Sequence, residues 1–594
     1  MLKKQFFQLA AVSAAGFLAL TTQGAPTHLV DEKPVEIKRI SDEVILVDFG
    51  RVSFGNVRLA PTGPQKNEIT VHFGENFKNG RLDRNPPKKS TVRYSKTTIK
   101  LDDDSTVVEP PADIRNTKGR GKAGDAKLIS IPEEFGVIIP FRWVEIEGWK
   151  GELTPEQIAR QSVFLTAWDD DAAHFECSDE MINKIWDLCK YSIKATTFAG
   201  IYVDGDRERI PYEADAYLNQ LSHYYTDADK QIARDTYDHL MENPTWPTEW
   251  TPHMVFMAYA DWMHTGDAAW LAPRYNALKD KLLMDRVENY LVTTDLNAER
   301  KNQGDIVDWP PKERDGYKFT EINTVVNAFH IRAVQMMAEM AEALGRNADA
   351  SKYNTYMKKS HARFQKLFFD KKDGLYVDGK GTDHSSLHAN LFPLAFELVP
   401  PKDREKMADW LAGRGMKCSV YAAQYLMEAL FENGADTEAI ELMMADGDRS
   451  WKHMVNSGTT ITWEAWDLKY KPNQDWNHAW GAAPGNLLPR YVLGAEPLLP
   501  GWKTARISPK IGNLTSAKGK IPTQMGSILV EWKNEKTFKI KLHIPDGMDA
   551  QVDLPKVGTS SRVLLNGNPV QASVKGDRLF VEQPVTGSAV LEVK

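Results

Sequence analysis

Residues 202–217, YVDGDRERIPYEADAY, hold seven charged side chains: Asp204, Asp206, Arg207, Glu208, Arg209, Glu213 and Asp215. Pro211 and Tyr212 lie among them. The stretch runs straight into LNQLSHYYTDAD, which has the pattern of a half-buried, aromatic helix. Part of this charge is therefore expected to face a pocket, and buried charges need partners or a function. Asp215 is expected near a helix N-terminus, where a carboxylate is stabilised and stays ionised. Glu208, seven residues earlier in a loop, would meet a different environment and keep its proton. A carboxyl pair with split acidities is what general acid/base hydrolysis needs. The competing reading has Arg207 and Arg209 pairing with Asp204, Asp206 and Glu208 simply to order the loop. These residues alone leave both readings open.

A second candidate lies in SGTTITWEAWDLKY, where Glu464 stands between Trp463 and Trp466. Indoles can desolvate a carboxylate or wall a sugar site. Just downstream, DWNHAWGAAPGNLLPRYV puts His478 at a helix start beside Trp476 and Trp480. A lone histidine there is more often a structural hydrogen-bonder, although it could orient a carboxylate or bind a hydroxyl. Two further loops, WPTEWTPHMVF with Trp246, Glu249 and Trp250, and DIVDWPPKERDGY with Asp308 and Trp309, pair acids with indoles. Such pairs suit sugar hydroxyls and ring faces, but singly each reads better as a cap or a packed loop. His384 and His388 have a metal-gripping i, i+4 spacing without the glutamate of an H-E-x-x-H motif, so a polar helix start is the better reading. No metal or cofactor is expected, while calcium on scattered carboxylates would leave no spacing signal.

The elements that must position these groups change type twice along the chain. Residues 26–170 carry short runs rich in Val, Ile and aromatics, punctuated by Gly, Pro, Asn and Asp, as in an antiparallel β-sandwich. A polar Gly/Pro-containing stretch, 108–128, reads as a long loop within it. Residues 171–498 turn helical. Apolar spacing predicts a helix from about 178, then helices over 214–225, 228–242, 252–265, 267–291, 320–345, 348–368, 385–397, 402–413, 419–433, 435–446 and 478–493. About twelve helices suggest an (α/α)6 toroid whose inner helices surround a pocket. An α-solenoid would give a similar count, but no fixed-period repeat is present. Residues 499–594 return to short strands and turns, including Asn566-Gly567, and read as a second β-sandwich.

Residues 1–25 have a basic start, a short apolar run and small residues near Gly24 and Ala25, the pattern of a secretory leader. A retained anchor is the second reading. No later stretch is long and apolar enough to span a bilayer. The mature chain is expected to be periplasmic or secreted. A net charge of −7 over 594 residues argues against nucleic acid as a partner. Three cysteines, Cys177, Cys189 and Cys418, cannot all pair internally and are read as buried thiols.

Taken together, these motifs resemble the α-L-rhamnosidases of glycoside hydrolase family 78 over nearly the whole chain. ILVDFGRVSFGNVRL and FRWVEIEGW resemble the family's N-terminal β-domain, and GDRERIPYEADA its acid motif. TTITWEAW resembles its second catalytic segment, NHAWGAAPGNLLPRYVLG the segment next downstream, and PGWKTARISPKIG its C-terminal β-domain. The resemblance implies inverting, exo-acting hydrolysis of a terminal α-L-rhamnoside in plant or algal glycans. It makes Glu208 the general acid and Glu464 the general base, with carboxyls roughly 6.5–9.5 Å apart. It places Asp204, Tyr212, Asp215, Trp309 and His478 around the sugar, and Arg207, Trp250, Asp308 and Trp463 are assigned there with them. The acid motif departs from the family pattern: its Cys-Pro-Gln segment is missing, Pro211-Tyr212 stands where Gly-Trp is usual, and Ala214 replaces a glycine. These changes fall beside the sugar and bear on its identity. The alternatives are a related glycosidase with another sugar in that subsite, or an (α/α)6 polysaccharide lyase working through Tyr212 and the histidines.

Overall fold

A computed structural model of the chain describes residues 24–62, 67–101, 104–117, 128–296, 304–558 and 561–594. The expected leader lies almost wholly outside these residues, as do positions 118–127 of the expected 108–128 loop. Among the described residues no helix is long and apolar enough to cross a membrane. The three cysteines are buried and free.

The N-terminal strands form one eight-stranded antiparallel sheet folded into a sandwich. Its spine is the 16-residue strand Val44–Leu59, whose pairing with Ile139–Glu147 shifts register between Asp48 and Ser53. A bulge there bends the strand, so its two halves can face each other. Ile45 and Val47 from one half and Val57 and Leu59 from the other meet in one core with Phe73, Phe141 and Ile146. Buried Arg160 donates to the carbonyls of Arg51 (2.6 Å) and Phe141 (2.8 Å), satisfying acceptors that the bend leaves without ladder partners.

The central helices alternate in burial. Glu213–Thr226 is buried at every position, and His253–Thr265, Thr324–Ala343, Leu387–Ala395 and Val420–Glu432 nearly so. Between them come helices with one apolar stripe, such as Gln231–Glu242 and Asn347–Phe368. A helix buried all round belongs inside, and a striped one outside. The five inner helices and the short Pro484–Leu487 pack side by side in a closed ring. At the seam the α-carbon of Gly485 faces Ser222, Cys189 and Thr226, so the last inner helix meets both the first inner and the first outer one. This is a six-hairpin toroid.

Two predicted helices are interrupted. The 267–291 pattern yields Ala268–Leu278 and then a hairpin of Val287–Glu288 with Leu291–Val292, after Leu283 adopts a left-handed φ of 56°. The 478–493 pattern yields Pro484–Leu487 followed by a wide turn over Leu488–Val492, because Pro489 has no N–H to continue the ladder.

Beyond Gly494 a five-stranded and a seven-stranded sheet pack together around Trp532, Ile540, Val552 and Leu591. In strand Phe538–Ile544 Phe538, Ile540, Leu542 and Ile544 are buried and the residues between them are exposed, the alternation of a one-sided sheet. The edge of the larger sheet is His174–Cys177, a strand from before the toroid, paired antiparallel with Ser516–Thr523.

Candidate active site

The starts of the inner helices and the loops before them converge on a cavity of about 250 Å3. At roughly 30 Å3 per water it has room for about eight waters. Asp204, Arg207, Glu208, Tyr212 and Asp215 line it from the first charged stretch, and Glu464 and His478 from the second. Trp246, Trp250, Trp309 and Trp480 supply indole walls. The structure thus brings together residues separated by more than 250 positions.

The 202–212 loop sorts its charges by direction. Arg209 turns away from the cavity and donates to Asp206 Oδ1 at 2.7 and 3.0 Å. That pair is the loop-ordering half of the network. Arg207 instead faces Glu464, with guanidinium nitrogens 3.3 Å from each carboxylate oxygen, and donates to the Asn473 carbonyl at 2.8 Å. Its Nε lies 3.7 Å from Glu208 Oε1. One guanidinium therefore stands between the two carboxyls. Asp204 Oδ1 accepts from Ile210 N (3.0 Å), which closes the loop on itself. Tyr212 donates to Glu208 Oε2 at 3.3 Å.

Glu464 is fixed on every side. Lys471 Nζ lies 2.8 Å from Oε1, and Asp475 N donates to Oε2 at 3.0 Å. Burial pushes its pKa up, but the charges of Arg207 and Lys471 outweigh burial and bring it down to about 2. Glu464 is thus an ionised carboxylate across the ordinary pH range. His478 Nε2 lies 3.4 Å from Asp215 Oδ1, and burial lowers its pKa to about 3 despite nearby Glu464, so the imidazole is neutral.

Burial works against the ionised form that the place of Asp215 in the first helical turn favours. Burial, and then the Glu464 charge, push its pKa well above the ordinary carboxylate range. A helix terminus is worth only about 0.3–1 kcal/mol at an exposed position, whereas desolvating a carboxylate costs several. Asp204 is raised in the same direction by burial and by the neighbouring Glu208.

Two assigned residues do not line the cavity. Asp308 accepts from Ser419 N (2.9 Å), from the Ser419 hydroxyl and from Trp309 N (2.8 Å), and contacts His388 Nε2 at 2.6 Å. Its oxygens are fully engaged in tying the Trp309 loop to two inner helices. Trp463 stacks on Trp476, ring centroids 5.0 Å apart, behind the cavity wall. Conversely, Lys471, Asn473 and Ile306 line the cavity without having been singled out. Nothing in DLKYKPNQDW distinguishes Lys471 from a solvated loop lysine. Trp246 and Trp480 stand in the indole-rich loops, the signal that could have selected them.

Comparison with known proteins places these features in a family. The model of the bacterial alpha-L-rhamnosidase 6 hairpin glycosidase domain matches residues 170–492. Models of the concanavalin-like and C-terminal domains of the same family match 38–164 and 494–566. An alpha-L-rhamnosidase of Alteromonas sp. (strain LOR) is 25% identical over 576 residues, covering 91% of this chain and 59% of the relative. One from Formosa agariphila is 23% identical over 478 residues, covering 73% of this chain and 49% of the relative. This chain thus spans between half and three-fifths of the length of these two curated relatives. Among solved structures, the Streptomyces avermitilis alpha-L-rhamnosidase complexed with L-rhamnose superposes with a TM-score of 0.78 at 18% identity, covering 96% of this chain and 54% of that one. The Dictyoglumus thermophilum enzyme gives 0.76 at 20% identity, covering 96% and 64%. These likenesses show the shared fold, and the domain match over more than half of the sequence shows the family: this chain belongs to the bacterial alpha-L-rhamnosidases, glycoside hydrolases of family 78.

Proposed function

We propose that this chain hydrolyses terminal α-L-rhamnosyl residues with inversion, Glu208 acting as general acid and Glu464 as general base. The observation that carries the reading is that both carboxyls line one cavity on either side of the Arg207 guanidinium. The guanidinium lies 3.7 Å from Glu208 and 3.3 Å from Glu464, so its width spaces the two carboxyls, as in an inverting pair, which needs roughly 6.5–9.5 Å to admit the attacking water. Their placement supports the division of roles. Glu464 is deep, ionised and able to take a proton from water. The Glu208 side chain is 18% exposed against 4% for Glu464, so it stands at the mouth, where the aglycone departs. Protonating the glycosidic oxygen there would free the aglycone as water adds to the anomeric carbon from the Glu464 side. In this reading Asp204, Asp215 and His478, which line the cavity, meet sugar hydroxyls, and Trp309, Trp250 and Tyr212 meet the ring. The relatives' names carry the choice of rhamnose. The lyase alternative loses support at Tyr212, whose hydroxyl is pushed well above its usual pKa by burial and by Asp204 and Glu208, making it a poor proton abstractor.

The test compares wild type with Glu208→Gln and Glu464→Gln on 4-nitrophenyl α-L-rhamnoside. Each variant should lose about 10²–10⁴-fold in activity, and NMR of the wild-type reaction should show the β-anomer first. Initial release of the α-anomer, or an unsaturated uronide formed from a uronic acid-containing glycan supplied in place of the aryl rhamnoside, would refute the mechanism. The substrate we propose is a plant or algal rhamnosyl glycan met in the periplasm or outside the cell. N-terminal sequencing of the exported chain, starting near residue 25, checks the location.

A further inference from the structure

The catalytic toroid does not hold its two catalytic segments alone. Between strands Glu68–Gly74 and Tyr94–Lys100 of the N-terminal sandwich, the chain makes an excursion over residues 75–93. Glu75, Thr91 and Arg93, at its two ends, are buried with 7%, 4% and 8% exposure. Arg93 ion-pairs with Asp206 and donates to the Asp206 carbonyl at 3.1 Å. Its backbone N–H donates to Glu75 Oε2 at 2.6 Å. Glu75 Oε1 accepts from Asn477 Nδ2 at 2.9 Å, and Asn477 Oδ1 accepts from Asp206 N at 2.8 Å. These four residues close a ring. It joins the sandwich to Asp206, two residues before the candidate acid, and to Asn477, in the segment just downstream of the candidate base.

A second strut runs alongside. Thr91 donates to the Gln474 carbonyl at 2.6 Å and to Asp475 Oδ1. Asp475 in turn accepts from Arg207 N at 3.3 Å through Oδ2, and donates from its own backbone to Glu464 at 3.0 Å. The loop is shaped to fit. Gly205 has a φ of +111°, and a Cβ there would lie 3.0 Å from Asp475 Oδ2 and 3.1 Å from Asn477. Burying this many polar groups is costly unless all are satisfied, and a satisfied network fixes one geometry.

We propose that Glu75, Thr91 and Arg93 are positioning residues for hydrolysis: the N-terminal sandwich acts as a clasp that sets the distance between Glu208 and Glu464. The proposal rests on the catalytic roles given above. A displacement of about 1 Å at the reacting groups can cost about 10²-fold in rate. Arg93→Met should therefore lower kcat by about 10²-fold while KM for the aryl rhamnoside stays within about threefold. Arg93→Lys should recover at least about tenfold of that loss. Because Arg93 acts through the Glu208 loop, Arg93→Met combined with Glu208→Gln should be little worse than Glu208→Gln alone. Thr91→Val, which removes only a hydroxyl, should lower kcat by about tenfold, and it serves as the deciding variant if Arg93→Met does not fold. If Glu208→Gln is fully active, the catalytic reading fails. If Glu208→Gln is impaired but folded Arg93→Met and Thr91→Val keep kcat within about twofold of wild type, the clasp is wrong. Multiplicative losses in the double variant would overturn it equally.

Discussion

Among the described residues, a charged, aromatic cavity lies at each end of the toroid's inner helices. The first, about 250 Å3, gathers residues from helix starts such as Asp215; the second, about 500 Å3, gathers residues from helix ends such as Tyr225, Glu432 and Arg490. Their acids are treated differently. At the far end Arg490 reaches Glu428 (2.5 Å), Glu496 (3.0 Å) and Glu432 (4.0 Å), and Arg506 also pairs with Glu432 and Glu496. Burial raises the Glu432 pKa but these arginines outweigh it, and the net shift is downward. At the near end, among the described residues that line the cavity, the basic side chains beside Asp204, Glu208, Asp215 and Glu464 are Arg207, Lys471 and a neutral His478. The acidities there split, with Glu464 driven down while Asp204 and Asp215 are driven up. A dense set of charges is therefore no mark of catalysis by itself. What distinguishes the candidate site from the far end is a surplus of acids held in unequal environments.

The largest expected contrast comes from Arg490→Met. The acids Arg490 holds are partly exposed, with the Glu432 side chain 33% accessible, so removing their shared partner costs on the order of 1 kcal/mol, and the denaturation midpoint should fall. The kcat of the molecules still folded should stay within about twofold of wild type. A kcat loss approaching that of Glu464→Gln would erase the distinction between the two ends.

Lys471→Met tests how the near end sets its acidities. Glu464 has an ordinary pKa of 4.5 and a folded one of about 2. Its contribution to stability is therefore fully present above pH 4.5 and is lost as the pH falls from 4.5 through 2. An opposite charge at contact distance is worth roughly one to three units to a carboxyl. Without Lys471 the Glu464 pKa should rise by about one unit or more, and the acidic limb of kcat/KM should move to higher pH with it. An unmoved limb would show that Arg207 alone fixes the base.

The smallest effect is expected for Trp309→Ala, which removes one wall of the near cavity. Losing an aromatic contact costs about 0.5–1.5 kcal/mol, so KM should rise up to roughly tenfold with kcat little changed. A kcat loss larger than the KM change would assign Trp309 to the transition state instead.

What the sequence displays is periodicity, and periodicity reports burial. The striped outer helices and the alternating strands were legible for that reason. Glu464 and His478 were legible as cavity residues because their neighbours are aromatic, and Glu208 because it stands in a dense charged stretch that resembles a known motif. The ring through Asp206 was not, since its links join residues 271 and 402 positions apart. Lys471 was invisible because a lysine in a polar loop has no local mark of burial. Asp308 misled because an acid beside an indole reads the same whether it faces a sugar or ties down its own loop. The environment of Asp215 was only half legible for a related reason: the helix terminus is visible in the sequence, and the desolvation that opposes it is not.

The strand His174–Cys177 carries a consequence for synthesis. It lies just before the first helix of the toroid, yet its partner strand Ser516–Thr523 lies far beyond the last, and the neighbouring Ser178–Thr515 contact links positions 337 residues apart. At about 5–20 residues per second on the ribosome, an unpaired sheet edge would wait roughly 20–70 s for its mate. The C-terminal sandwich is therefore no detachable cassette: the nascent toroid emerges with its own opening strand uncovered, and the last hundred residues buckle it shut.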